Sequence, residues 1–116
     1  MGVVYHANYL VWFEVGRTEY LRHRGFSYRD LEREQEIFLP VAEARCRYLA
    51  PLCYDDEVII RTRLLANRRR LITFHYEVLR AGDRGLAAEG ETRHVVLGRD
   101  GRPKSLPETY AKCLLG

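Results

Sequence analysis

The feature that most constrains this chain is a helical stretch near its start that is apolar on nearly every side. Tyr9, Phe13, Gly16 and Tyr20 recur at helical spacing. Four more residues extend this apolar surface around the helix axis: Leu10, Trp12, Val15 and Leu21. A helix of this kind needs cover on most of its surface. We therefore predict a central helix over residues 9–24 that the rest of the chain surrounds.

Turn and capping residues mark where this helix ends and where a second one begins. Arg22, His23 and Arg24 suit the negative end of a helix dipole, and Gly25 offers a left-handed stop. Ser27 precedes Asp30 by three residues, a spacing that caps a short helix over residues 28–34.

From residue 36 onward the apolar period becomes that of β-strands. We predict strands over residues 36–48, 57–66, 71–80 and 86–97. Polar turns separate the later strands, at residues 67–70 and 82–85. Pro40 indicates an edge or a bulge in the first strand, and Pro107 opens a closing helix that reaches about residue 115.

This order predicts one α+β domain over residues 1–116, in which a curved antiparallel sheet wraps a long central helix. Ala88, Gly90 and Thr92 form a strip of small side chains that lets the helix approach the sheet closely. Four strands and a short helix leave part of the central helix open, so we expect a second subunit to cover it.

Composition excludes several classes of protein. At 116 residues and 47% hydrophobic content, the chain has enough material for one core. It has no apolar run of about 20 residues for a transmembrane helix, and its start lacks secretory-signal features, so we expect a cytoplasmic protein.

The net charge of +3 is mild and its acidic and basic residues are interleaved, which disfavours nucleic-acid binding. Cys46, Cys53 and Cys113 lack metal-site spacing, so we expect reduced thiols and no metal site.

Several short segments together match a known family. They are Gly-Val-Val-Tyr-His-Ala-Asn-Tyr at residues 2–9, Phe-Glu at 13–14, Arg-Thr-Glu-Tyr-Leu at 17–21, Phe-Leu-Pro-Val at 38–41, Tyr-Leu-Ala-Pro at 48–51 and Ala-Glu-Gly at 88–90. The chain resembles, over essentially its whole length, the hotdog-fold acyl-CoA thioesterases of the 4-hydroxybenzoyl-CoA thioesterase and YbgC-like group.

The resemblance implies a hotdog fold and hydrolysis of acyl-CoA thioesters, with short or aryl acyl groups, to a free acid and coenzyme A. It implies no cofactor, and a homodimer or homotetramer with the acyl pocket at the dimer interface. An alternative is a non-catalytic hotdog module that binds acyl-CoA or acyl carrier protein. A dehydratase or hydratase, and a nucleic-acid binder using the Arg68 to Arg70 turn, are more distant alternatives.

The family's catalytic carboxylate is an aspartate in a D-x-x-G-V-V pattern at the end of a first strand. In this sequence the Gly-Val-Val segment begins at Gly2, so the aspartate position and the strand before it fall ahead of Met1. An internal methionine taken as the start, a trimmed form of the chain, and a natural protein without the carboxylate would each account for this.

The resemblance and the helix start together give the predicted site. Backbone N–H groups at His6, Ala7 and Asn8 would polarise the thioester carbonyl. Tyr5 and Asn8 would contact the thioester with their side chains, and His6 would orient a water or line the acyl pocket. The resemblance adds three residues of the same segment as substrate contacts, together with Ala7: Gly2, Val3 and Val4. Asn8 is equally suited to capping the helix, and His6 to a structural role at its start.

Two further groups of charged residues have both a functional and a structural interpretation. Glu14 is a candidate catalytic carboxylate on the central helix, or simply the partner of Arg17 in an ion pair. A set of basic residues would bind coenzyme A phosphates or lie in solvated turns: Arg69, Arg70 and Lys104. We expect Glu19 to pair with His23, and we assign His75 and His94 to surface or sheet-packing roles on faces away from the apolar stripes.

Overall fold

The computed structural model describes the backbone of residues 7–115 and the side chains of residues 7–65 and 68–112. Its elements in chain order are α1 (Asn8–His23), α2 (Tyr28–Glu34), β1 (Ile37–Phe38), β2 (Val41–Tyr48), β3 (Val58–Arg68), β4 (Leu71–Arg80), β5 (Leu86–Val95), β6 (Leu97–Gly98) and α3 (Glu108–Leu115). None of the described helices combines the length and the apolar content needed to cross a bilayer.

Four of the strands form one antiparallel sheet in the order β2-β5-β4-β3, and α1 lies against one face of it. The predicted α+β architecture is confirmed, and the prediction for β4 agrees with the structure at both ends. In the described part of the chain, the sheet ends on β2 at one side and on β3 at the other.

Two predicted long strands are interrupted. The predicted strand over residues 36–48 breaks at Leu39 and Pro40, and its first part, β1, pairs with β6 in a separate two-stranded sheet. The predicted strand over residues 86–97 is likewise divided between β5 and β6. Pro40 therefore lies between strands instead of within one, because proline cannot donate to a ladder. A register shift between Val41 and Glu43 follows directly after it.

The helix ends agree closely with the sequence. Gly25 follows α1 with a φ of 86°, which is the left-handed stop. The Ser27 hydroxyl accepts a hydrogen bond from the Asp30 backbone N–H at 3.1 Å and caps α2 as predicted. At the start of α1, Ala7 precedes the first helical residue and supplies no side-chain cap. Asn8 is itself helical, so its predicted role as the cap is wrong.

Close packing between α1 and the sheet depends on two glycines. The Phe13 ring stacks on Tyr76 at a centroid distance of 4.4 Å, and a β-carbon on Gly90 would lie 2.6 Å from the Phe13 ring. A β-carbon on Gly16 would collide with the Thr62 hydroxyl oxygen. The predicted small-residue strip thus has the role that we assigned to it, and α1 contributes a small residue of its own.

One side of α1 is open. Leu10, Val11 and Val15 are 45%, 54% and 53% exposed. On the neighbouring edge strand β2, Val41 and Tyr48 are 46% and 51% exposed. The expectation that the described elements cover only part of the central helix is therefore correct, and the apolar surface continues from α1 onto β2.

The outer face of the sheet carries charges in a regular pattern. Cross-strand ion pairs join β2 to β5 and β3 to β4: Arg45 with Glu91, Arg47 with Glu89, Arg93 with Glu43, and Arg61 with Glu77. His75 lies on this face, opposite Arg63 on one side and Glu91 on the other. The arginine side chains of these four pairs are between 51% and 70% exposed.

Candidate active site

A cavity of about 310 Å³ opens between α1 and the edge strand β2. Leu10, Val11, Val41 and Ala44 give it apolar walls. Its polar lining comes from three side chains: Glu14, Arg17 and Thr92. We call it the α1–β2 cavity, and its volume is at the small end of the range for small-molecule sites.

A buried polar network lies behind the Thr92 wall of this cavity. The Tyr76 hydroxyl contacts the Thr92 hydroxyl at 2.6 Å, and the Thr92 oxygen contacts His94 Nε2 at 2.8 Å. His94 Nδ1 contacts the Leu39 carbonyl oxygen at 3.0 Å. All three side chains are at most 2% exposed.

The hydrogen bonds of this network run in one direction. The Leu39 carbonyl can only accept, so His94 Nδ1 donates to it, and in a neutral imidazole Nε2 then accepts from the Thr92 hydroxyl. The Thr92 oxygen in turn accepts from the Tyr76 hydroxyl. Burial lowers the pKa of His94, against the opposing effect of the Leu39 carbonyl, so neutral histidine is the form that fits.

Arg17 reaches this network from α1. Its guanidinium lies beside the Tyr28 and Tyr76 hydroxyls and near His94. Burial raises the pKa of Tyr28 to about 12, with the charge of Arg17 acting in the opposite direction. The Tyr28 hydroxyl is buried and has no hydrogen bond of good geometry among the described residues.

The two predicted ion pairs on α1 are not those observed. No ion pair in the described residues joins Glu14 to Arg17, and Glu14 is exposed on the cavity side of the helix. Glu19 pairs with Arg22 at 3.2 Å instead of with His23, because the i+3 side chain reaches it on the exposed surface.

The predicted histidine roles are half right. His75 lies on the outer face of the sheet, as expected. His94 is fully buried on the inner face, with its ring edge-on to Phe74 at 5.6 Å, so the prediction that it faces away from the apolar stripe is wrong. The prediction treated a polar side chain as a sign of exposure. In the structure, hydrogen bonds with Thr92 and the Leu39 carbonyl satisfy both ring nitrogens of His94 and allow its burial.

The start of α1 is only partly described. Ala7 and Asn8 are exposed at the helix N-terminus, where free backbone N–H groups can stabilise negative charge. The remaining predicted site residues of this segment lie outside the described residues: Gly2, Val3, Val4, Tyr5 and His6.

The predicted phosphate-binding residues lie together but far from the helix start. Arg69 donates to the Leu106 carbonyl at 2.8 Å, Arg70 to the Ser105 hydroxyl at 3.3 Å, and Lys104 to the Gln35 carbonyl at 2.9 Å. These residues flank the end of the sheet where β4 begins.

The N-terminus of α1 is at the opposite end of the sheet, where Tyr9 contacts Tyr48 at a ring distance of 4.9 Å. The helix of 16 residues is about 24 Å long, so a single chain does not bring the two groups together.

Sequence reasoning missed Arg17, Thr92 and His94 as parts of one site. The sequence does carry a signal, since Thr92 and His94 occupy the same alternating positions as Ala88 and Gly90, which are predicted to face the helix. The sequence analysis treats Thr92 only as a small residue and assigns His94 to a surface or sheet-packing role, so neither is predicted as a site residue.

A long helix lying across an antiparallel sheet, with a cavity along the helix, is the architecture of the hotdog fold. Residues 1–114 match the model of the thioesterase-like superfamily. The chain belongs to this superfamily, and the predictions of the hotdog fold and of the thioesterase family are confirmed.

Known relatives are similar over most of the chain. The acyl-CoA thioester hydrolase YbgC of Escherichia coli O6:H1 is 34% identical over 93% of this chain and 80% of its own length. The putative acyl-CoA thioesterase YneP of Bacillus subtilis is 45% identical over 53% of this chain and only 44% of its own length. The solved DHNA-CoA thioesterase of Staphylococcus aureus is 34% identical, with a TM-score of 0.84 over 90% of this chain and 70% of that one.

Proposed function

We propose that this chain is an acyl-CoA thioesterase, which hydrolyses acyl-CoA thioesters to a free acid and coenzyme A. The observation that carries the proposal is the α1–β2 cavity, which has apolar walls for an acyl group and a carboxylate, Glu14, within reach of it. Relatives named as acyl-CoA thioester hydrolases support the same reaction.

The chemistry uses the start of α1 and a carboxylate. Water adds to the thioester carbonyl while a carboxylate takes one of its protons. The carbon–sulfur bond then breaks, and the carboxyl group returns that proton to the departing sulfur, which releases the acid and the coenzyme A thiol. Free N–H groups at Ala7 and Asn8 would stabilise the negative charge on the carbonyl oxygen. Glu14 is the described carboxylate that lines the cavity, and we assign the base role to it.

The test is the release of free coenzyme A from benzoyl and short-chain acyl-CoA esters. Chromatographic detection avoids thiol-reactive dyes, which the free thiols of Cys46 and Cys53 would disturb. We expect turnover by the wild-type chain and a loss of about 100-fold or more in Glu14→Gln, as for a general base. Glu19→Gln on the same helix is the matched control, since Glu19 pairs with Arg22.

Three results would contradict parts of this proposal. Turnover that survives Glu14→Gln would contradict the role of Glu14. Turnover that appears only when residues upstream of Met1 are added would assign the base to the family aspartate. Tight binding of acyl-CoA without release of coenzyme A by either form would favour the non-catalytic module.

A homodimer would complete the site. The exposed apolar residues of α1 continue onto the free edge of β2, which favours a second copy on this side. A two-fold axis there would place the Arg69 end of one copy near the α1 start of the other. Arg69, Arg70 and Lys104 would then bind the phosphates of coenzyme A or of an acyl carrier protein. Light scattering that gives the mass of one chain would contradict this arrangement.

The cytoplasmic location stays a proposal. Its support is that Cys46 and Cys53 are free thiols, which suit a reducing compartment. Microscopy or fractionation of the tagged protein in its own host would test it, and recovery outside the cytoplasm would contradict it.

A further inference from the structure

Arg17 is a half-buried cation that makes no ion pair within 4 Å with any described residue. Its near neighbours are the neutral Tyr28 and Tyr76 hydroxyls, and the Glu14 carboxylate acts on the same Tyr28 hydroxyl from the cavity side. The planar guanidinium fork is suited to a carboxylate, and partial burial strengthens such a pair relative to one in open water.

Arg17 also lines the α1–β2 cavity, whose other walls are mainly apolar. A ligand that fits both features has an aliphatic part, for Leu10, Val11 and Val41, and an anionic end, for Arg17. Glu14 lines the same cavity and would repel an anionic ligand, but its side chain is exposed to water, which screens this repulsion. The attraction between the ligand and the half-buried Arg17 is screened less.

The length of α1 limits the length of such a ligand. Asn8 and Arg17 are nine positions apart, or about 13 Å along the axis, and the extended arginine side chain covers roughly half of this. An acyl chain of about five or six carbons, with its thioester at the helix start, would fill the remaining distance.

We propose that Arg17 determines acyl specificity by binding a terminal carboxylate, so that the preferred substrates are coenzyme A thioesters of dicarboxylic acids. The inference rests on the proposed function and names its substrate class. Arg17 contacts the distal end of the acyl group and takes no part in the bond changes at the thioester.

The test compares two esters with the same number of carbons, glutaryl-CoA and pentanoyl-CoA, after subtraction of uncatalysed hydrolysis. In the wild-type chain we expect kcat/KM for glutaryl-CoA to exceed that for pentanoyl-CoA by about tenfold or more. Arg17→Met should bring this ratio to one or below, and Arg17→Lys should keep part of it. Arg22→Met, on the exposed surface of α1, is the control that should keep the ratio.

The possible failures are distinguishable. A wild-type chain that hydrolyses both esters equally well overturns the inference and leaves the proposed function standing. A chain that hydrolyses neither of these esters, nor any other acyl-CoA ester, contradicts the proposed function itself. If Arg17→Met lowers both rates equally, with a lower unfolding temperature, Arg17 is structural and the specificity role is wrong.

Discussion

The two faces of β5 use polar residues in opposite ways. On the inner face, Thr92 and His94 are buried and hold one another and Tyr76 in fixed geometry. On the outer face, Glu89 and Glu91 pair with arginines of β2 in contact with water. Successive side chains of β5 point to the inner and the outer face in alternation. We expect the buried polar set to contribute more to stability than the paired charges of the outer face, and its member Thr92 also lines the α1–β2 cavity.

The largest expected effect is at the inner face, where α1 meets β5. Gly90→Val would place a side chain against the Phe13 ring and the Arg45 carbonyl, and we expect a loss of about 3 kcal/mol in unfolding free energy, or no folded protein. Gly82→Ala is the matched control, since a β-carbon there meets nothing within 4 Å. Urea denaturation measures both variants, and equal small losses would show that the close contact is not required.

The second largest loss of stability is expected for the Thr92 hydroxyl, which lies at the centre of the buried Tyr76–Thr92–His94 network. Thr92→Val keeps the side-chain shape but leaves Tyr76 and His94 without their shared partner, which should cost about 2 kcal/mol. Thr92→Ser retains the hydroxyl and should cost less than the valine variant. A valine variant as stable as the wild type would mean that the network adds nothing to the inner face.

The pH dependence of stability sharpens the same comparison. The pKa of His94 is lowered in the folded state by burial, so below the unfolded value of about 6.5 the unfolded chain binds the proton first. Stability should therefore be complete above that pH and should decline as the pH falls below it, by at most about 1.4 kcal/mol per pH unit.

Thermal unfolding between pH 7.5 and pH 5 measures this slope. His94→Gln should be less stable at neutral pH but should show a flatter slope than the wild type. Parallel slopes in the two proteins would contradict a neutral, buried His94.

The smallest effect is expected on the outer face. Arg45 and Glu91 approach to 2.8 Å, yet the arginine side chain is 63% exposed. A double-mutant cycle with alanine at both positions should give a coupling energy below about 1 kcal/mol, which salt should reduce further. A coupling energy as large as the loss in Thr92→Val would remove the contrast between the two faces.

Local sequence signals predicted much of this fold. Ser27 and Gly25 fixed the helix ends because capping and left-handed turns depend on a few neighbouring residues. The alternation in residues 71–80 gave β4 and its buried face for the same reason. Pro40 was recognised as unusual, but the pairing of β1 with β6 joins segments about 60 residues apart, and no local pattern encodes it.

The candidate site was harder to predict because its members come from different elements. Arg17 on α1, Tyr28 on α2 and Thr92 on β5 meet only after the chain folds. Glu14 could be named from sequence as a carboxylate on the central helix, but whether it pairs with Arg17 depends on side-chain direction, and no ion pair joins them among the described residues. Likewise, Arg69 and Lys104 are close in the structure, and their distance from the helix start follows from the direction of α1.

The central claim is that the α1–β2 cavity binds the acyl group of an acyl-CoA thioester. The most direct measurement is kcat/KM for the best acyl-CoA ester in the wild type and in Ala44→Phe, which fills the cavity from its β2 wall. We predict a loss of about tenfold or more with an unchanged unfolding temperature, because the acyl group loses its space. Unchanged turnover by a folded Ala44→Phe variant would contradict the claim.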